Sequence, residues 1–381
     1  MRTSCFFYGT LRHLSLLARV VGHDVHVRPA RLAGHEVREA MIGDAPQAFP
    51  LLVAGGAGAE GVLFDATPED LARLDYYEAG FAFDIKGLKV DTDTGSAVAR
   101  VYLPQPGHWQ PGAPWDFAAW ARDWSAIVTE AAGEFIAGMG RLSPEAALRR
   151  YPMMLVRAAS RLRAQEGKPA RIRRQAAPED VQVHQRVPAF SGYFALEEYR
   201  LSHRLFAGGQ SPVLHREAFV SGDAAVVLPY DPVRDRVLLI EQFRVGPFAR
   251  GDLNPWLIEP IAGRIDAGET PQEAALREAM EEAGLAIGQM IAAPNFYPSP
   301  GAKSEYLYTF IGLADIPDVA AQPGGLADEG EDIRAHVLSF EALMALVDSG
   351  EADNAPLVIL ALWLARIRND LRARPDAPHG G

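Results

Sequence analysis

Residues 263–285 read GRIDAGETPQEAALREAMEEAGL, and three of their glutamates, Glu278, Glu281 and Glu282, stand three and four positions apart. On an α-helix that spacing puts all three carboxylates on one side. Like charges so placed cost about 0.2–0.5 kcal/mol per pair, and the C-terminal end of a helix repels anions further. Something must compensate the cluster, and a hard divalent cation is the natural candidate. Mg²⁺ takes oxygen ligands and keeps several waters, so a few carboxylates on one rigid face suffice. Such a cation polarises bound oxygens and acidifies water.

The element that must carry these carboxylates is well signalled. Thr270-Pro271-Gln272-Glu273 is a capping box with proline at the first helical position, and Gly284 sits where a helix stops. Ala275, Leu276, Ala279, Met280 and Ala283 recur at helical spacing and predict an apolar face. Upstream, two apolar runs flank DPVRD, a hairpin signal, and PLVILALWLARIRNDLRA near the C-terminus reads as a helix.

Residues 1 to about 140 predict a separate unit of short strands (CFFYGTL, EGVLFDA, ARVYL), with a helix over about 115–136. Residues 141–185 then carry ten Lys or Arg against four Asp or Glu. Ser143-Pro144-Glu145 starts a helix there, Pro152 interrupts it, and MMLVRAASRLRAQ resumes it. This basic stretch reads as a solvated helical linker, with an anion or RNA contact as the sharper alternative. A second globular unit spans 186–381.

The 381 residues are 48% hydrophobic and 23% charged, which suits a globular protein of two or three domains. A net charge of −12 disfavours a general nucleic-acid binder. One cysteine, Cys5, excludes an internal disulfide and a cysteine-built zinc site, and suits a reducing cytosol. The N-terminus lacks the order of a signal peptide, and no stretch approaches the ~20 apolar residues of a membrane span. A cytoplasmic location, with no membrane or nucleic-acid partner, is expected.

The full pattern is Gly263, five residues, Glu269, seven residues, Arg277-Glu278, two residues, Glu281-Glu282, one residue, Gly284-Leu285. It resembles the Nudix box throughout, with the small Ala279 in the aliphatic slot. Pro300, in an SPG turn sixteen residues beyond Gly284, resembles the ADP-ribose pyrophosphatase branch of that family. So do the approach WLIEPIAGRIDAGE and the stretch from GGLADEGEDIRAHVLSF toward the C-terminus, so that the similarity covers about 186–370. The resemblance implies Mg²⁺-dependent hydrolysis of ADP-ribose, or of a related nucleotide sugar, to AMP and ribose 5-phosphate. Mn²⁺ is the alternative cation. It implies Glu278, Glu281 and catalytic Glu282 as metal ligands, joined by the carbonyl of Ala262. Arg277 reads as structural, tying the helix to the preceding loop through Glu269. Glu329 stands where the family has its catalytic base, with Glu331 sharing metal binding or orientation. Tyr193 is implied to stack the adenine, and Arg216 and Arg244 to contact substrate. Each has a plainer reading, core packing for the tyrosine and strand ion pairs for the arginines. The family exchanges the strands before the box across a homodimer, here about 190–225.

CFFYGTLR at 5–12 and GVLFDATPEDLARLDYYEAGF at 61–81 look like the γ-glutamylcyclotransferase (AIG2-like) family. That resemblance implies that Tyr8, Gly9, Thr10 and Leu11 cradle a substrate carboxylate and that Glu78 acts as acid and base in releasing 5-oxoproline and an amine. A solvated Glu78 and a binding or stabilising module are the competing readings. A non-catalytic sensor of nucleotide ligands is the alternative for the whole chain. The expected fold is α/β (α+β): a small mixed β-barrel or sheet with helices, then a Nudix α/β/α sandwich preceded by an antiparallel sheet.

Overall fold

The structure, a computed structural model, describes residues 2–43, 45–318 and 332–373. The chain forms two compact units, Met1–Pro169 and Ala170–Gly381.

The first unit runs β1 (Thr3–Phe7), α1 (Leu14–Val21), β2 (Val27–Leu32), β3 (His35–Ile42), β4 (Ala45–Ala54), β5 (Ala59–Ala66), α2 (Pro68–Ala79), β6 (Phe83–Thr92), β7 (Gly95–Pro104) and β8 (Gln110–Pro114). Helices α3 (Phe117–Asp123), α4 (Ser125–Ala137), α5 (Pro144–Leu148) and α6 (Tyr151–Ala164) complete it. Strands β1-β5-β2-β6-β7 close a barrel, and β4-β3-β8 form a small sheet. The two-residue alternation of the strands explains how one barrel serves two cores. Phe6, Leu63 and Val101 belong to one buried cluster, while their neighbours Phe7, Phe64 and Tyr102 pack with the helices in another.

Two elements differ from expectation. The helix over 115–136 is two helices, because Asp116 caps α3 through the N–H groups of Ala118 (2.8 Å) and Ala119 (3.1 Å) and the backbone leaves helical geometry at Trp124 (φ −121°). The basic stretch 141–185 is not a solvated linker over its first half. Tyr151, Met154 and Ala158 of α6 join the core with Phe135. Arg157, its side chain fully buried, holds Glu134 of α4 at 2.6 Å. Pro152 sits in the first turn of α6 and therefore opens that helix. In the second half, Arg174 pairs with Asp180 at 2.9 Å.

The second unit runs β9 (Val181–Ser191), β10 (Ala195–His203), β11 (Leu214–Val220), β12 (Ala224–Asp231), β13 (Arg236–Phe243), α7 (Val245–Arg250), β14 (Trp256–Glu259), β15 (Ile261–Arg264), α8 (Pro271–Ala283), β16 (Gln289–Ala292), β17 (Leu307–Leu313), β18 (Arg334–Ser339), α9 (Phe340–Ser349) and α10 (Ala355–Arg372). Strands β9–β11 form an antiparallel sheet of their own. The other seven make a mixed sheet in which β12 runs parallel to β17. Helix α8 covers one face of that sheet, and α9 and α10 cover the other, which is the expected α/β/α sandwich after an antiparallel sheet. The DPVRD hairpin forms between β12 and β13. Asp231 accepts from the N–H groups of Val233 and Arg234 (both 3.0 Å), and Asp235 takes a left-handed φ of +58°.

Candidate active sites in the two units

Helix α8 is built as its sequence demands. The Thr270 hydroxyl accepts from the Glu273 N–H, Glu273 accepts from the Thr270 N–H at 2.9 Å, and Gly284 ends the helix at φ +59°. Its buried face is Ala274, Ala275, Ala279 and Ala283, small residues that bring the helix close to β12 and β15. Leu276 and Met280, expected in the apolar face, lie outside it and are 37% and 53% exposed. Glu282 lies inside the buried face and is 2% exposed. Its Oε2 accepts from the Ala262 N–H at 3.2 Å.

Glu278 approaches the next residue of β15. A Cβ on Gly263 would stand 1.8 Å from Glu278 Oε1, so only glycine leaves room for this carboxylate. Two carboxylates of α8 thus meet the Ala262–Gly263 segment, an all-oxygen donor set suited to a hard divalent cation. Arg277 binds the rest of the cluster. Its Nε and Nη2 grip Glu269 at 2.9 and 3.1 Å, its Nη1 donates to Glu278 (2.7 Å) and Glu281 (2.9 Å), and Nη2 also reaches the Arg264 carbonyl (3.0 Å). The acids raise its already high pKa further, with Glu269 the largest cause. The tie between helix and loop through Glu269 is therefore present. Among the described residues no three His, Cys, Asp or Glu side chains gather tightly enough to hold one ion in this conformation.

The other second-unit candidates are spread more widely. Tyr193, between β9 and β10, is 61% exposed, which removes the core-packing reading. The Arg264 guanidinium lies 4.0 Å over its ring. Arg264 went unnoticed in the sequence, and its place directly after Gly263 was the available signal. Arg244 pairs with Glu259 at 2.7 Å, and this half-buried carboxyl is shifted upward mainly by burial. Arg216, exposed on β11, donates to the His215 carbonyl at 2.7 Å and lines a groove on the β9–β11 sheet. Among the described residues, neither arginine hydrogen-bonds or ion-pairs with an α8 carboxylate. Glu329 and Glu331 lie outside the described residues.

In the first unit Tyr8, Gly9, Thr10, Leu11 and Glu78 come together around a cavity of about 570 Å³. Glu78 sits in the last turn of α2 and points its chemistry into this cavity's lining, away from the solvated position the plainer reading required. Burial and, secondarily, the charge of Asp75 push its pKa up to about 8. Tyr8 is anchored by donating its hydroxyl to the Tyr102 carbonyl at 2.8 Å. Leu148, Arg149, Tyr151, Pro152 and Leu155, from the stretch read as a linker, line the same cavity.

Comparison with known proteins falls along the same division. Residues 220–360 match the family model described as NUDIX domain, and residues 5–125 match that described as Gamma-glutamyl cyclotransferase, AIG2-like. The ADP-ribose pyrophosphatase of Escherichia coli strain K12 is 45% identical over 185 residues, 49% of this chain and 88% of that protein. The ADP-ribose pyrophosphatase of Haemophilus influenzae is 38% identical over 188 residues, 49% of this chain and 86% of that protein. A GDP-mannose pyrophosphatase of Salmonella paratyphi B is 33% identical over 174 residues, 45% of this chain and 88% of that protein.

Proposed function

Because the chain belongs to the Nudix hydrolase family through its second unit, we propose that this unit hydrolyses the pyrophosphate bond of ADP-ribose, with other nucleoside diphosphate sugars as secondary substrates. The products are AMP and ribose 5-phosphate. The observation that carries the reading is the meeting of Glu278 and Glu282 with the Ala262–Gly263 segment of β15. Mg²⁺, with Mn²⁺ as its substitute, is the cation these groups suit, and Glu278, Glu281, Glu282 and the Ala262 carbonyl are its proposed ligands. When bound, such a cation neutralises phosphate oxygens and acidifies water.

The remaining steps belong to the chain. Glu282, held on the Ala262 N–H, fixes helix to strand, and Arg277 keeps Glu278 and Glu281 aligned. Tyr193 offers a flat exposed ring for the adenine, beside Arg264. Arg216 and Arg244 offer planar forks for phosphate oxygens, the latter oriented by Glu259. Glu329 is the proposed base. It takes a proton from water as the new P–O bond forms and the bridging P–O bond breaks, with Glu331 as its neighbour in that role. A homodimer exchanging the strands over about 190–225 is proposed as well, supported by the exposed Phe190 at the end of β9. No described helix is long and apolar enough to cross a membrane. We place the protein in the cytoplasm on its single cysteine.

Glu282→Gln tests the site. Full-length protein carrying it should lose metal-dependent AMP release by about two orders of magnitude or more, with the fold retained by circular dichroism. Undiminished turnover with Mg²⁺ removes Glu282 from the site.

The cavity in the first unit favours a second activity there, cyclisation of γ-glutamyl amides. The substrate's α-amine nitrogen bonds to its own γ-carbonyl carbon, the C–N bond to the departing amine breaks, and Glu78 passes the proton from the attacking nitrogen to the leaving one. The products are 5-oxoproline and a free amine, and no co-reactant is consumed. The step is intramolecular, so one proton-carrying carboxyl and a fixed orientation suffice.

A further inference from the structure

The first unit's cavity, about 570 Å³, is larger and more apolar than a glutamyl group requires. Its two charged lining residues are Glu78 and Arg149, and Arg149 is exposed. Apart from these, Thr10 and Gln47, the lining side chains are apolar or aromatic. Ring packing makes one wall continuous. Phe49 meets Trp109 at 4.9 Å and Phe81 at 5.1 Å between centroids, and Phe81 meets Tyr151 at 5.4 Å.

Several polar handles of the cavity's rings are already engaged within the protein. Trp109 donates its indole N–H to the Phe81 carbonyl at 2.8 Å, and Tyr102 donates its hydroxyl to Asp75 at 2.8 Å. Tyr8 donates its hydroxyl to the Tyr102 carbonyl at 2.8 Å. What these side chains leave for a ligand is apolar ring surface. A polar peptide group seated there would give up its water without gaining partners, whereas an apolar ring would be buried with gain. Tyr151, Leu148 and Leu155 of this wall come from α5 and α6, beyond the residues 5–125 that match the cyclotransferase-like family model. Part of the wall therefore lies outside the matched segment.

We propose that the first unit selects γ-glutamyl conjugates whose departing amine carries an apolar ring, which packs on the Phe49–Trp109–Phe81–Tyr151 wall, in preference to γ-glutamyl peptides. This deepens the cyclisation reading and rests on it. The bond changes are those given above: lactam C–N bond formed, amide C–N bond broken, one proton moved between the two nitrogens through Glu78.

The test is 5-oxoproline release by the full-length protein from two matched substrates, γ-glutamyl-phenethylamide and γ-glutamyl-glycine. The phenethylamide should be favoured in kcat/KM on the order of 10- to 100-fold. Phe49→Ala should erase most of that preference while leaving the glycine conjugate's kcat/KM within a few-fold. If Phe49→Ala does not fold, Trp109→Leu reads the same wall. Turnover of both substrates at equal rates, or a preference for glycine, overturns the selectivity and leaves cyclisation standing. No 5-oxoproline from either substrate overturns cyclisation itself, and the selectivity with it.

Discussion

Glu282 is a buried carboxyl and Glu78 a half-buried one, in settings that differ in kind. Glu282 is held by a backbone N–H beside an arginine-bridged acidic cluster. Glu78 stands among aromatic rings with Asp75 as its charged neighbour, and its pKa is pushed up to about 8. Its carboxyl in the unfolded chain titrates near 4.5, so between about pH 4.5 and 8 the folded state binds more protons than the unfolded one. Stability contributed by this group is then present at low pH and lost as pH rises through that window. Glu78→Gln, which does not titrate, should therefore gain in Tm relative to the parent protein between pH 5 and pH 9, on calorimetry at matched ionic strength. A constant difference across that range would mean that Glu78 is already ionised in the folded protein. At this scale the sequence was informative about residue type and less so about setting. Tyr193 could be read as core or as stacking surface, and only its 61% exposure decides between them.

At the scale of elements, α8 was legible because its signals are local: a capping box, a terminal glycine and small residues at helical spacing. The strand it packs on contributes equally. Gly263 admits Glu278, so Gly263→Ala should displace that carboxylate, cost about 1–3 kcal/mol through overcrowding, and weaken the apparent divalent-cation affinity in turnover. A thermal melt with a cation titration reads both effects. Unchanged values would show that Glu278 has freedom the close approach denies. The burial of helices α5 and α6, both expected as helices, was hidden for the opposite reason. Their excess of arginine suggested a solvated face, but Arg157 finds Glu134 twenty-three positions earlier on α4. A buried charge is tolerated only with such a partner, and a pairing at that distance in sequence leaves no local trace.

The whole molecule joins two units, each with its own core and its own candidate site. The layered sandwich of the second unit, preceded by an antiparallel sheet, followed from the box and its family resemblance. In the first, the expected residues Tyr8–Leu11 and Glu78 do share a cavity, but part of its wall arrives from α5 and α6. The two activities should be separable. Glu282→Gln should abolish AMP release and leave 5-oxoproline formation intact, and Glu78→Gln should do the reverse. Loss of both activities in either variant would indicate that one unit's chemistry depends on the other's. The most direct test of the central claim is turnover of ADP-ribose by purified full-length protein with Mg²⁺, following AMP and ribose 5-phosphate beside GDP-mannose and other nucleoside diphosphate sugars. The expected result is equimolar AMP and ribose 5-phosphate, dependent on the divalent cation and faster from ADP-ribose than from the rest. No cation-dependent cleavage of any substrate on that panel would contradict the assignment.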